Sequence, residues 1–165
     1  MKQGGRISVL KVMKLLYLAD REFLNRYDAL ILDDNYVSMD HGPVSSRTFN
    51  YINGGYPDLR SWNEFVRDRE DNEISASSDQ LTEDSLDELS RAELRVLEHI
   101  WEQHGNKTPW QLRNWTHRNC PEWIDPEGSS RPITYQSIFE ALGKENAQQL
   151  AERLQEEMNR AIADA

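Results

Sequence analysis

The chain has 165 residues and a net charge of −10, long enough for one domain, or one domain plus a tail, around a real core. Five Trp, six Tyr and a 38% hydrophobic fraction exclude a disordered chain, and the acidic balance argues against a nucleic-acid partner. A single cysteine, Cys120, excludes an internal disulfide and a cysteine-built zinc site. No apolar run approaches the roughly eighteen residues that a membrane span needs, so a cytoplasmic protein is expected.

MKQGG reads as a short flexible leader, with Ser8 as the N-cap of a helix running to about Tyr27. At about 100° per residue, Val9, Leu10, Met13, Leu16, Tyr17, Leu24 and Tyr27 share one arc. Val12, Leu15, Ala19 and Phe23 widen it, so this helix is expected to be buried on most of its circumference. Lys11, Lys14, Arg21, Glu22 and Asn25 take the opposite side, with Leu18 among them. Asp20 falls inside the apolar arc, where a bare carboxylate costs several kcal/mol. It is expected to be buried and to pin a loop onto the helix; the sharper reading is a ligand or catalytic carboxylate.

Residues 35–40 alternate as a short half-buried strand, which Gly42-Pro43 is expected to stop. Ser45 or Ser46 then caps a helix carrying Phe49, Tyr51 and Ile52, ending at Asn53-Gly54-Gly55. A loop holding Tyr56-Pro57 and Trp62 leads to a hairpin, with Phe65 and Val66 in one strand, Asp71-Asn72 at the turn and Ile74 returning. The acidic stretch from Asp68 to Glu88 contains SASSDQLTEDS, an exposed connection by composition.

Ser90 and Glu93 form a capping box for a helix through His104, stopped at Gly105. Thr108-Pro109 starts the next helix, with Trp110, Leu112 and Trp115 as its buried side. Residues 118–132 hold three prolines and no period: a loop, anchored by Trp123. Thr134 caps a helix to Gly143, and the segment from Glu145 repeats Leu150, Leu154, Met158 and Ile162, a narrow seam that docks on the domain or on a partner. The fold expected is mainly α (α+β): a compact helical domain around a central buried helix, with a small antiparallel β element.

Little here points to chemistry. The four histidines form no ligand pair (His99 and His104, five apart, diverge by about 140° on a helix), and no Gly-rich phosphate loop appears, so neither metal nor cofactor is expected. Cys120, three residues from His117, is a weak nucleophile signal. What remains is a polar set of Lys14, Asp20, His41 and the Gly42-Pro43 turn, in which Asp20 could accept from the His41 ring or from backbone N–H groups of the turn.

KLLYLADREFL (residues 14–24) followed by YVSMDHGPV (residues 36–44) resembles the Panacea domain, also called the SocA-like antitoxin domain. Thr108-Pro109-Trp110 and Arg131-Pro132-Ile133 fit as well, so the resemblance spans roughly Ile7 to Gly143, with residues 144–165 as an added amphipathic helix. It implies a bacterial or prophage antitoxin, without catalytic residues, that neutralises a cognate protein toxin by direct binding. Lys14, Arg21, His41, Gly42, Pro43 and Val44 would form the partner-binding surface; Tyr17, Asp20, Tyr36 and Trp110 would be structural. Members usually carry one more helix before the Gly-Gly lead-in, so the core is expected to be completed by the C-terminal helix or by a second copy in a homodimer. One relative acts as an adaptor that presents its toxin to an ATP-dependent protease, which is the alternative reading. A small enzyme built on Lys14, Asp20 and His41 is the less favoured one.

Overall fold

The computed structural model describes residues 5–56, 60–77 and 88–163. Its elements run β1 (Arg6–Ser8), α1 (Val9–Tyr27), β2 (Tyr36–Met39), β3 (Gly42–Ser45), α2 (Ser46–Ile52), α3 (Arg60–Phe65), β4 (Val66–Glu70), β5 (Glu73–Ala76), α4 (Arg91–His104), α5 (Pro109–Asn119), β6 (Arg131–Ile133), α6 (Tyr135–Ala141) and α7 (Ala147–Ala163). The fold is mainly α, with two small antiparallel sheets ordered β1-β5-β4 and β3-β2-β6.

Helix α1 is the axis. The Ser8 side chain accepts from the Lys11 N–H, and Asp28 closes the far end in the left-handed conformation (φ 54°), its N–H on the Leu24 carbonyl. On one flank Val9 and Met13 pack with Val44, Ile52 and Ile74; on the other Leu15, Leu18, Phe23 and Leu24 join α4 to α7 in the larger core. The side bearing the lysines was expected to face solvent and does not: Lys11 is 6% exposed and Lys14 1%. Lys11 Nζ donates to the Gly105 carbonyl at 2.6 Å and lies over the Trp101 ring, so the ammonium caps the negative end of α4. Gly105 keeps a right-handed φ of −62°; glycine is needed there because a Cβ would sit 2.5 Å from the Trp101 carbonyl oxygen.

The hairpin expected at residues 65–76 is present, turning at Asp71-Asn72, but Phe65 ends α3 instead of opening the strand. Trp62 likewise lies on α3, a helix in what reads as a loop. Between the MKQGG leader, of which residues 1–4 lie outside the described residues, and the Ser8 cap, Arg6–Ser8 form strand β1, with Ile7 opposite Ile74. In the second sheet Gly42-Pro43 does not stop the chain. The turn falls at Asp40-His41, and Gly42–Ser45 returns along β2 with Val44 opposite Val37. Pro43 is tolerated because β3 is an edge strand, as is β6 with Pro132. Ser45 makes no side-chain cap on α2; the Asp34 carboxylate does so instead, accepting from the Arg47 and Thr48 N–H groups at 2.7 and 2.8 Å.

The capping boxes at Ser90/Glu93 and Thr108/Gln111 and the Thr134 cap form as their sequences require. The α7 seam turns inward: Leu150, Leu154 and Met158 are buried in the main core, with Met158 Sδ 3.0 Å from the Tyr135 hydroxyl. Of the exposed connection expected at SASSDQLTEDS (75–85), Ser75 and Ala76 belong to β5, while residues 78–85, like the Ile162 side chain, lie outside what is described.

Candidate functional site

Residues 14, 17 and 21 project from one face of α1, and two polar constructions meet along it. Lys14 Nζ donates to the Pro43 carbonyl at 2.7 Å. Burial, with the Arg113 cation nearby, lowers its pKa to about 7. The β2–β3 hairpin can approach this closely because of Gly42. Its φ is +98°, and a Cβ there would lie 3.0 Å from Lys14 Cε and from Thr116 Oγ1. Gly42→Ala therefore adds backbone strain to a clash and is expected to destabilise by about 1–3 kcal/mol, seen as a lower denaturation midpoint at unchanged slope. An unchanged midpoint would show that the hairpin is not held in this conformation.

One turn along, Tyr17 Oη and Arg21 Nε both donate to Glu122 Oε1 at 2.6 Å, and Arg21 Nη2 reaches Oε2 at 3.4 Å. The Glu122 side chain is wholly buried and that of Arg21 17% exposed, so the pair is a charged bolt between α1 and the loop after α5. The same loop is fastened by Trp123, whose Nε1 donates to the Met39 carbonyl at 3.0 Å and whose ring stacks on His117 at 3.7 Å. Burial and the cations of Arg113 and Lys14 lower the His117 pKa to about 4, leaving a neutral ring at pH 7. Burial, reinforced by Glu122, pushes the Cys120 thiol up to about 12, so it is no activated nucleophile.

Asp20 is wholly buried, as expected, but its partners differ from those expected. It accepts from the Ile31 and Leu32 N–H groups at 2.7 and 3.1 Å and from Tyr36 Oη at 2.6 Å, not from His41 or the turn. The carboxylate thus pins the loop directly after α1. Burial raises its pKa to about 6 in spite of these three bonds. Lys14, Asp20 and His41 do not form a catalytic cluster: Asp20 is sealed against Tyr36, itself edge-on to Tyr17 and Tyr135. Among the described residues no group of three or more His, Cys, Asp or Glu could hold a metal.

Of the residues expected to face a partner, Lys14, Gly42, Pro43 and Val44 are buried, because α5 and β3 cover that side of α1. Arg21 keeps a partly open edge, and His41 is exposed at the hairpin tip. Trp110, expected in the core of α5, is 58% exposed and lies edge-on to His41 at 5.3 Å. Next to the tip, the Ile124 N–H donates to Ser38 Oγ and the Ile124 side chain is 59% exposed. Sequence reasoning missed Glu122 and Ile124. The one signal was a lone acid between Pro121 and Trp123 in an aperiodic loop.

No helix among the described residues is long and apolar enough to cross a membrane. No curated protein and no solved structure matches the chain. A family model described as antitoxin SocA-like, Panacea domain, matches residues 12–124, which take in most of α1, the β2–β3 hairpin, α5 and the Glu122–Trp123 loop. That match covers more than half of the chain, which belongs to the SocA-like antitoxin family with the Panacea domain.

Proposed function

We propose that this chain is an antitoxin that neutralises a cognate protein toxin by direct binding, with no turnover of its own, and that the surface around the hairpin tip makes the contact. The observation that carries this reading is a pair of exposed apolar side chains, Trp110 and Ile124, each against the β2–β3 hairpin. Trp110 and Ile124 are both more than half exposed: Trp110 lies against His41 at the tip of a hairpin fixed by Lys14 to Pro43, and Ile124 lies on a loop fixed by Glu122 to Arg21 and Tyr17 and by Trp123 to Met39. Binding surfaces draw most of their energy from a few such anchors, with Trp and Arg over-represented. His41 and Arg21 then act at the contact, while Lys14, Gly42, Pro43 and Val44 act from beneath it. A net charge of −10 steers the chain towards a basic partner.

The test is co-expression with the toxin encoded in the adjacent reading frame. The parent chain should restore growth and co-purify with intact toxin. Trp110→Ala, at an exposed position, should fold normally and weaken binding roughly thirtyfold or more, about 2 kcal/mol. Full rescue by Trp110→Ala and Ile124→Asp together would place the contact elsewhere. Toxin that disappears only in cells with an active protease would replace inhibition by the adaptor mode.

A further inference from the structure

On the side of α1 opposite to Lys14, Tyr17 and Arg21, helices α1 and α4 and the β1-β5-β4 sheet enclose a trough of about 850 Å³. Its floor is apolar, with Leu16 from α1, Ile7 and Val66 from the sheet, and Leu94, Leu97 and Trp101 from α4. The last three stand at i, i+3 and i+7, so the α4 wall runs about two helical turns. Among the described residues, the amphipathic seam of α7 is not free to fill it, because Leu150, Leu154 and Met158 are already buried in the main core.

The rim carries the opposite charge to the protein as a whole. Arg6, Arg91 and Arg95 line it, with Glu98 one turn further along α4. Arg6 is engaged by Glu70 and Glu73. Arg91 and Arg95 are exposed and make no hydrogen bond or ion pair with any described residue. Two guanidinium groups with no partner among the described residues, beside an apolar trough in a chain of net charge −10, set up a local demand for carboxylates. We infer that this trough takes an acidic amphipathic helix of a partner protein, about three turns long. Its apolar face would lie on Leu94, Leu97 and Trp101, and its Asp or Glu side chains would meet Arg91 and Arg95. The partner is specified by this chemistry alone, independently of the hairpin-tip contact.

The probe is a helix-stapled, fluorescein-labelled peptide with Leu at i, i+3, i+7 and i+10 and Glu at the flanking positions, set against the same peptide with Lys for Glu. Anisotropy titration of the full chain should show the Glu peptide binding at least about tenfold more tightly, with the preference shrinking as salt is added. Arg91→Glu with Arg95→Glu should abolish or invert that preference. Both sites are exposed, and an acidic residue at position 91, in the first turn, suits α4, so the double variant should fold. Methyl shifts in NMR spectra should centre on Leu94 and Leu97. Equal binding of the two peptides, no binding, or shifts centred elsewhere would overturn the inference. So would tighter binding once residues 78–87 are replaced by a Gly-Ser repeat, since the chain's own connection would then be the occupant. A dimer that dissociates as peptide is added would assign the trough to a second copy and overturn it too.

Discussion

Asp20→Ala is expected to lower stability by about 3 kcal/mol or more, among the largest effects of any single substitution in this chain. The change strands two backbone donors, Ile31 and Leu32, and the Tyr36 hydroxyl in a site closed to water. Their loss frees the loop that hands α1 on to β2, so far-UV ellipticity should fall together with near-UV tyrosine signals in one transition. A variant as stable as the parent would mean that the loop is held by something else. The same carboxylate gives a pH signature. Its folded pKa, raised by burial to about 6, lies above its ordinary 3.8. The native state therefore holds this proton more tightly than the unfolded one. The stabilisation is complete below about 3.8 and is lost as pH rises through about 6. Asp20→Asn, which cannot titrate, should remove that decline between pH 4 and 6 from the stability curve; an identical slope in parent and variant would refute the assignment.

Removing Glu122 should cost as much, through a different mechanism. Glu122→Ala leaves the largely buried Arg21 guanidinium and the Tyr17 hydroxyl without their shared acceptor. Breaking a buried ion pair on one side typically costs about 3–5 kcal/mol. Glu122→Gln keeps an acceptor for Tyr17 and gives up the charge, so it should fall between the two in chemical denaturation. Because the Glu122 loop also mounts Trp123 and Ile124, toxin binding should weaken in the alanine variant even under conditions where it remains folded. Wild-type affinity in a folded Glu122→Ala protein would separate this bolt from the hairpin-tip surface.

Much of the helical framework was legible because its signals are local. Ser8, Ser90 with Glu93, Thr108 with Gln111, and Thr134 each satisfy N–H groups within three residues, so sequence spacing alone places the starts of α1, α4, α5 and α6. Asp20 was legible as a buried structural acid because its position on a strongly periodic helix leaves it no route to solvent. The two core motifs, residues 14–24 and 36–44, carried the family, and the match over residues 12–124 includes both.

The remainder depended on partners distant in the chain. Strands β1 and β6 are three residues each, too short to show a period, and exist only through pairing with β5 and with β2. The Asp34 cap on α2 and the Glu122 bolt reach across 13 and 101 residues, beyond any local pattern. A helical wheel puts Lys14 on the polar side of α1 and Trp110 on the apolar side of α5, but it cannot say which side another element will cover. In the folded protein the β2–β3 hairpin closes over Lys14, whose ammonium is satisfied by the Pro43 carbonyl, while Trp110 is left outside against His41. Burial of a side chain is a property of the packed neighbours, and hydrogen bonding decides whether a polar group survives it.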